Sequence, residues 1–130
     1  MNFSPFASLF GSSNDTGAKL QTISASSAVQ FHGDDNTVFV DVRGHGEISF
    51  SGTVKNALVA PLQEFANHAK TDGSSTFPSV EEGKRIILVC ASGARSGAAG
   101  NQLVRMGYTD VANLSGGIGA WARAGGPMGK

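Results

Sequence analysis

A chain of 130 residues is about one domain's worth, long enough to bury one core and too short for two. Its 40% of hydrophobic residues and its 18 glycines make a globular composition and exclude wholesale disorder. Ten Lys and Arg offset ten Asp and Glu, so the chain as a whole lacks the basic footprint of a nucleic-acid or acidic-lipid binder.

Residues 1–18 contain no Lys or Arg and lack the apolar stretch of a secretory signal, so a cytoplasmic location is expected. They read as an N-terminal tail. Within it Ser4, Pro5 and Gly11 sit where a cap, a first-turn proline and a stop would bracket one short helix, with Phe6, Leu9 and Phe10 on a shared face. From Lys19 to the end the texture is that of a single domain, with short apolar runs alternating with helix-like stretches. That is the pattern of an α/β protein with a parallel sheet covered by helices. Residues 20–23 are expected as a short edge strand, and Ser24 as the cap of a helix carrying Ala25, Ala28, Val29 and Phe31. A turn at 33–36 leads to a strand over 37–42 that is apolar nearly throughout, as expected when both faces are buried. It ends in Asp41 and Arg43.

Gly44, Gly46 and Gly52 mark an irregular stretch, followed by a short strand at 57–60 that Pro61 stops. Residues 62–69 have Leu62, Phe65, Ala66 and Ala69 at the spacing of one helical face, and 71–79 reads as a surface loop rich in Gly and Ser. The run 86–91 is the longest clean apolar one, far short of a membrane span, and its 86–89 portion reads as the central strand. A helix is expected over 96–106, with Ala99, Leu103 and Met106 toward the sheet and Gly107 as its stop. Gly97 and Gly100 are poor helix formers, so their presence there predicts a helix packed very close to the sheet. One more strand at 110–114 precedes Ser115, Gly116 and Gly117, a short helix around Trp121, and a close at Gly125, Gly126 and Pro127.

The informative segment is 85–96, a strand running through Cys90 into a tight turn and then a helix. In open α/β sheets ligands bind beyond the carboxyl ends of the strands, and Cys90 sits at such an end. Ala91, Ser92, Gly93 and Ala94 are small enough for the chain to curl around the sulfur and aim several backbone N–H groups at one position. The following helix N-terminus and Arg95 add positive potential there, which favours a thiolate and would equally cradle a negatively charged sulfur bonded to it. Ser96 is expected to cap or line the helix start. Cys90 is the single cysteine, so the chain holds no internal disulfide and no all-cysteine metal cage.

These residues resemble the rhodanese family, the single-domain thiosulfate sulfurtransferases. Residues 38–43, ending Asp41-Val42-Arg43, resemble the family's early strand, and 52–61 the segment leading to the next strand and proline. Cys90 to Ser96 resembles the active-site loop, and 114–117 with Trp121 and Gly126-Pro127 the closing signature, so the likeness runs from Lys19 to the C-terminus. It departs from the family where His, Pro and Gly are usual and Thr53, Lys55 and Asn56 stand instead. The resemblance implies a central parallel sheet of about five strands with helices on both faces. It also implies an enzyme in which a Cys90 thiolate takes a sulfane sulfur from thiosulfate or another persulfide donor. The Cys90 persulfide then passes it to cyanide, a small thiol or a protein thiol. Residues 91–96 would bind the anion, with Asp41 and Arg43 in support. Arg95 either orients the sulfonate end of the donor or pairs with an acid such as Asp41 to brace the loop.

Two other readings compete. A Cys-dependent phosphatase or arsenate reductase on a related fold needs a wider loop, one residue longer than the four from Ala91 to Ala94. Val89 also stands where that class often has His. A non-catalytic binding module is the other, and the retained Cys90, small loop and Arg95 argue against it. His32, His45 and His68 have no metal-ligand spacing, so neither a metal nor another cofactor is expected. His45, in the loop after Asp41, is a candidate for the pocket mouth. The adjacent Gly116 and Gly117 lack the spacing of a phosphate loop.

Overall fold

The computed structural model describes residues 18–130. The short helix expected at Ser4 to Gly11 lies outside them. Five strands make one parallel sheet: β1 (Gln21–Ile23), β2 (Thr37–Asp41), β4 (Leu58–Val59), β5 (Arg85–Val89) and β6 (Val111–Leu114), in the spatial order β1-β6-β5-β2-β4. The remaining two, β3 (Thr53–Val54) and β7 (Met128–Gly129), pair antiparallel in a small second sheet.

The central strand β5 explains the two-sided core. Ile86, Leu88 and Cys90 point to one face and Ile87 and Val89 to the other, all fully buried, because successive side chains alternate across a strand. The first face is covered by α3 (Phe65–His68) and α4 (Ala94–Arg105), through Phe65, Ala99 and Leu103. On the second lie α1 (Ala25–Val29) and α5 (Gly117–Arg123), through Ala25, Ala28 and Trp121. The expected α/β architecture with helices on both faces is therefore the observed one. Ser24 caps α1 as expected, its Oγ accepting the Ser27 N–H at 3.2 Å. Gly100 meets the expectation of close packing, since a Cβ there would lie 3.2 Å from Leu88 Cδ1 and 3.1 Å from Leu20 Cδ2.

Three expectations are corrected. The stretch expected to be irregular after Arg43 is a helix, α2 (His45–Ser51). Its composition argues against a helix, with Gly46, two serines and Ile48 as its one buried residue. Contacts beyond the helix stabilise it: Glu47 Oε1 accepts the Gly44 N–H at 3.2 Å, and Arg43 Nη1 donates to Ser51 Oγ at 2.8 Å. The segment 62–69 starts as a 3-10 turn (Leu62–Glu64) and only then becomes α3. The tighter turn keeps Leu62 and Phe65 toward the core and leaves Ala66 exposed. The Gly/Ser loop is not all surface either. Phe77 is buried between Phe65 and Tyr108, with ring centroids 6.0 and 5.8 Å away in edge-on contacts, and the Tyr108 hydroxyl donates to Pro78 O at 2.7 Å.

Candidate active site

Cys90 follows the last residue of β5 at the carboxyl edge of the sheet, where α4 begins. It has no accessible surface. The chain turns at once, with Gly93 at a φ of +112° capping α4, a backbone conformation that side chains disfavour. The turn brings the Gly93 N–H to 3.0 Å from Cys90 Sγ and the Ser96 hydroxyl to 3.3 Å. Burial alone pushes the thiol's pKa up. Hydrogen bonds from the Ser96 hydroxyl and N–H and from the N–H groups of Gly93 and Ser92 more than offset it, so the thiol lies below its ordinary value.

Two later segments hold this loop in place. From β6, Asn113 Nδ2 donates to Gly93 O at 2.9 Å, and Asn113 Oδ1 accepts the Ser96 hydroxyl at 2.5 Å. One hydroxyl proton is thus shared between two acceptors, the Asn113 amide oxygen and the Cys90 sulfur. At the start of α5, Ile118 N–H donates to Cys90 O at 2.9 Å. Gly117, at a φ of +67°, lies so near the loop that a Cβ there would fall on the Ala91 carbonyl and 2.5 Å from Cys90 O. The closing Gly-Gly turn is thus a wedge under the cysteine loop.

The supporting residues take positions the sequence left open. Asp41 and Arg43 pair with each other, Arg43 Nη2 to Asp41 Oδ2 at 2.8 Å and Nε to both carboxylate oxygens at 3.1 Å, both residues buried. Arg43 Nη2 also donates to Gly52 O at 2.6 Å, and Thr53 Oγ1 donates to Asp41 Oδ2 at 2.6 Å. Together they clamp the C-terminal end of α2 to the sheet. Thr53, one of the departures from the family pattern, thereby adds a fourth donor to a buried carboxylate that also accepts the Arg43 N–H. Arg95 does not pair with Asp41, which is already saturated. Its guanidinium meets Glu47 on α2 through two hydrogen bonds of 2.7 and 2.8 Å. That pair holds Glu47 far below the usual carboxylate range, at about 2. Ser96 does not cap α4, since Gly93 does; it is fully buried and donates to the sulfur instead.

Glu47 and Asn113 are the site residues that sequence reasoning missed. Asn113 carried a signal, a polar residue inside the otherwise apolar run Val111-Ala-Asn-Leu114. Glu47 carried none, because its helix was not expected. His45 is exposed at the start of α2, and His32 lies against Phe39 and Trp121 with its Nε2 at 2.9 Å from Lys55 O. Among the described residues no group of three or more His, Cys, Asp and Glu is placed to hold a metal ion. No helix among them is long and apolar enough to cross a membrane. A groove of about 380 Å³, lined by His32, Asp34, Thr37, Lys55 and Leu58 among others, opens at the amino ends of β2 and β4. In a parallel sheet that is the end away from Cys90, so its size does not make it the reaction site.

The family model for the Rhodanese-like domain matches residues 24–124, and the chain belongs to that family. It is 36% identical over 94 residues to a sulfurtransferase of Allochromatium vinosum, covering 72% of this chain and 79% of that protein. It is 28% identical over 108 residues to a tRNA uridine(34) hydroxylase of Prochlorococcus marinus subsp. pastoris, covering 82% of this chain but only 34% of the hydroxylase. Among solved structures it resembles a Rhodopseudomonas palustris protein described as a possible tyrosine phosphatase, with a TM-score of 0.71 at 29% identity and 85% of each chain covered. A rhodanese-related protein of Thermoplasma volcanium superposes with a TM-score of 0.66 at 26% identity, over 84% of this chain and 97% of that one.

Proposed function

We propose that this rhodanese-like domain is a sulfurtransferase that carries sulfane sulfur as a persulfide on Cys90. The observation that carries the reading is the buried Cys90 sulfur with N–H and O–H donors converging on it. The thiolate attacks the outer sulfur of thiosulfate, a new S–S bond forms, and the old one breaks with its electron pair leaving as sulfite. An acceptor, cyanide or a thiol, then takes the outer sulfur and returns Cys90 to the thiolate. Splitting one transfer into two gives ping-pong kinetics. The donors of residues 91–96 are fixed before the charge arrives, so they stabilise the persulfide anion as they do the thiolate. Arg95 orients the anionic end of the donor. With one cysteine in the chain, no second thiol resolves the persulfide, and the sulfur leaves to an external acceptor.

The test is intact-mass spectrometry after incubation with thiosulfate. One added sulfur, about 32 Da, is expected, removed by cyanide and absent in Cys90→Ser. No adduct with thiosulfate or with a small persulfide donor overturns the reading. The likeness to a possible tyrosine phosphatase names the rival activity. The short loop argues for no turnover of an aryl phosphate.

A further inference from the structure

The cation of the Cys90 loop is already occupied. Arg95 offers two terminal nitrogens to the two oxygens of Glu47 at 2.7 and 2.8 Å. This is the paired fork with which a guanidinium also grips an oxyanion such as a sulfonate. Glu47 is itself held in position, by the Gly44 N–H on its Oε1 and by the Arg43 clamp on the end of α2. The two side chains keep 37% and 44% of their surface exposed, so an anion from solution reaches them. Arg95 also feels the charges of Cys90 and Asp41, which places the pair within the field of the sulfur.

We infer that Glu47 is a specificity-determining residue, an internal carboxylate that stands on Arg95 in the place of the donor's anionic head. This rests on the sulfur-transfer reading of Cys90. A doubly charged donor such as thiosulfate has to displace Glu47 and approach its charge. A donor whose leaving end carries less charge depends less on Arg95 and is penalised less. Glu47 therefore tunes the site away from thiosulfate and toward donors of lower charge.

The test compares thiosulfate with methanethiosulfonate, in which a methyl group replaces one sulfonate oxygen and one charge. Both give up the outer sulfur, releasing sulfite and methanesulfinate respectively. In Glu47→Gln the amide still accepts from Gly44, while its pull on Arg95 is weakened. The expected result is a KM for thiosulfate lowered about 5-fold, the range for one exposed ion pair of good geometry, with a kcat within about 2-fold of wild type. The KM for methanethiosulfonate falls less. An unchanged or raised thiosulfate KM overturns the inference, because losing a residue that merely braces the loop would loosen binding, and an equal fall for both donors overturns it because the effect would not depend on donor charge. A second measurement leaves Glu47 intact. In Cys90→Ser protein, saturating thiosulfate should shift the Glu47 carboxyl carbon resonance and raise its apparent pKa, and no shift at saturation overturns the inference equally. If wild-type protein takes sulfur from neither donor, the sulfur-transfer reading itself fails. If it loads normally and Glu47→Gln leaves the KM values where they were, only the role of Glu47 fails.

Discussion

The wedge formed by Gly117 supports a quantitative test, because the chain contains a matched control. Gly117 and Gly83 have nearly the same φ, +67° and +64°, but a Cβ at Gly83 meets nothing within 4 Å, whereas one at Gly117 meets the backbone of Ala91 and Cys90. An alanine in the left-handed region costs about 1 kcal/mol at either position. At Gly117 it also has to push aside main chain, which typically costs a further 1–3 kcal/mol, roughly, in a well-packed interior. It also strains the Ile118 N–H to Cys90 O bond, worth about 1 kcal/mol. Gly83→Ala should therefore destabilise by about 1 kcal/mol and Gly117→Ala by about 3–5 kcal/mol. For a chain of this length the difference corresponds to about 7–15 °C in Tm. Urea denaturation gives both values, provided the slopes agree. Gly117→Ala should also slow sulfur loading, since the displaced carbonyls belong to the Cys90 loop, while Gly83→Ala loads at the wild-type rate. Equal destabilisation by the two substitutions would refute the close approach of the Gly-Gly turn to the loop.

Two further predictions concern the polar groups around the site. Arg43→Met leaves Asp41 buried with Thr53 Oγ1 and the backbone N–H of residue 43 as its donors, so it should cost about 3–5 kcal/mol in denaturation. Adding Asp41→Asn should recover part of that loss, and a double variant no more stable than Arg43→Met would contradict the assigned pairing. Ser96→Ala removes the hydroxyl that donates to the sulfur and so favours the protonated thiol. Because only the thiolate attacks, the pH profile of sulfur loading should move to higher pH, with the rate reduced more at pH about 6 than at pH about 9. A profile that scales uniformly at all pH values would show that Ser96 acts on structure alone.

The cysteine loop was legible because its chemistry is local: a buried strand, a run of small residues and an Arg lie side by side in the chain. Strands β2 and β5 were legible for the same reason, since a strand buried on both faces writes itself as a nearly continuous apolar run. What escaped was set by distant partners. The α2 helix has little propensity of its own and depends on Arg43 and on Glu47's contacts. The pair β3 and β7 has two residues per strand, too few to show a period. Asp41 was named as a supporting residue from resemblance, and Arg95 was expected to meet either the donor or an acid such as Asp41; the acid it meets is Glu47. Sequence could not show that Arg43, two residues along from Asp41, folds back to take both Asp41 oxygens. The sheet order was not derivable from local pattern either.

The order β1-β6-β5-β2-β4 also bears on when the thiol becomes reactive. Asn113, Gly117 and Ile118 follow Cys90 in the chain and emerge from the ribosome after it, as does β6, the strand beside β5 on one side. Until residues 111–118 have docked, the loop is neither wedged nor tied to β6, and nothing beyond the loop holds the donors of residues 92–96 on the sulfur. Parallel pairing between segments far apart in sequence forms slowly. The nucleophile is thus armed by the completion of folding, and a nascent or partly unfolded chain exposes a thiol that has not yet been activated.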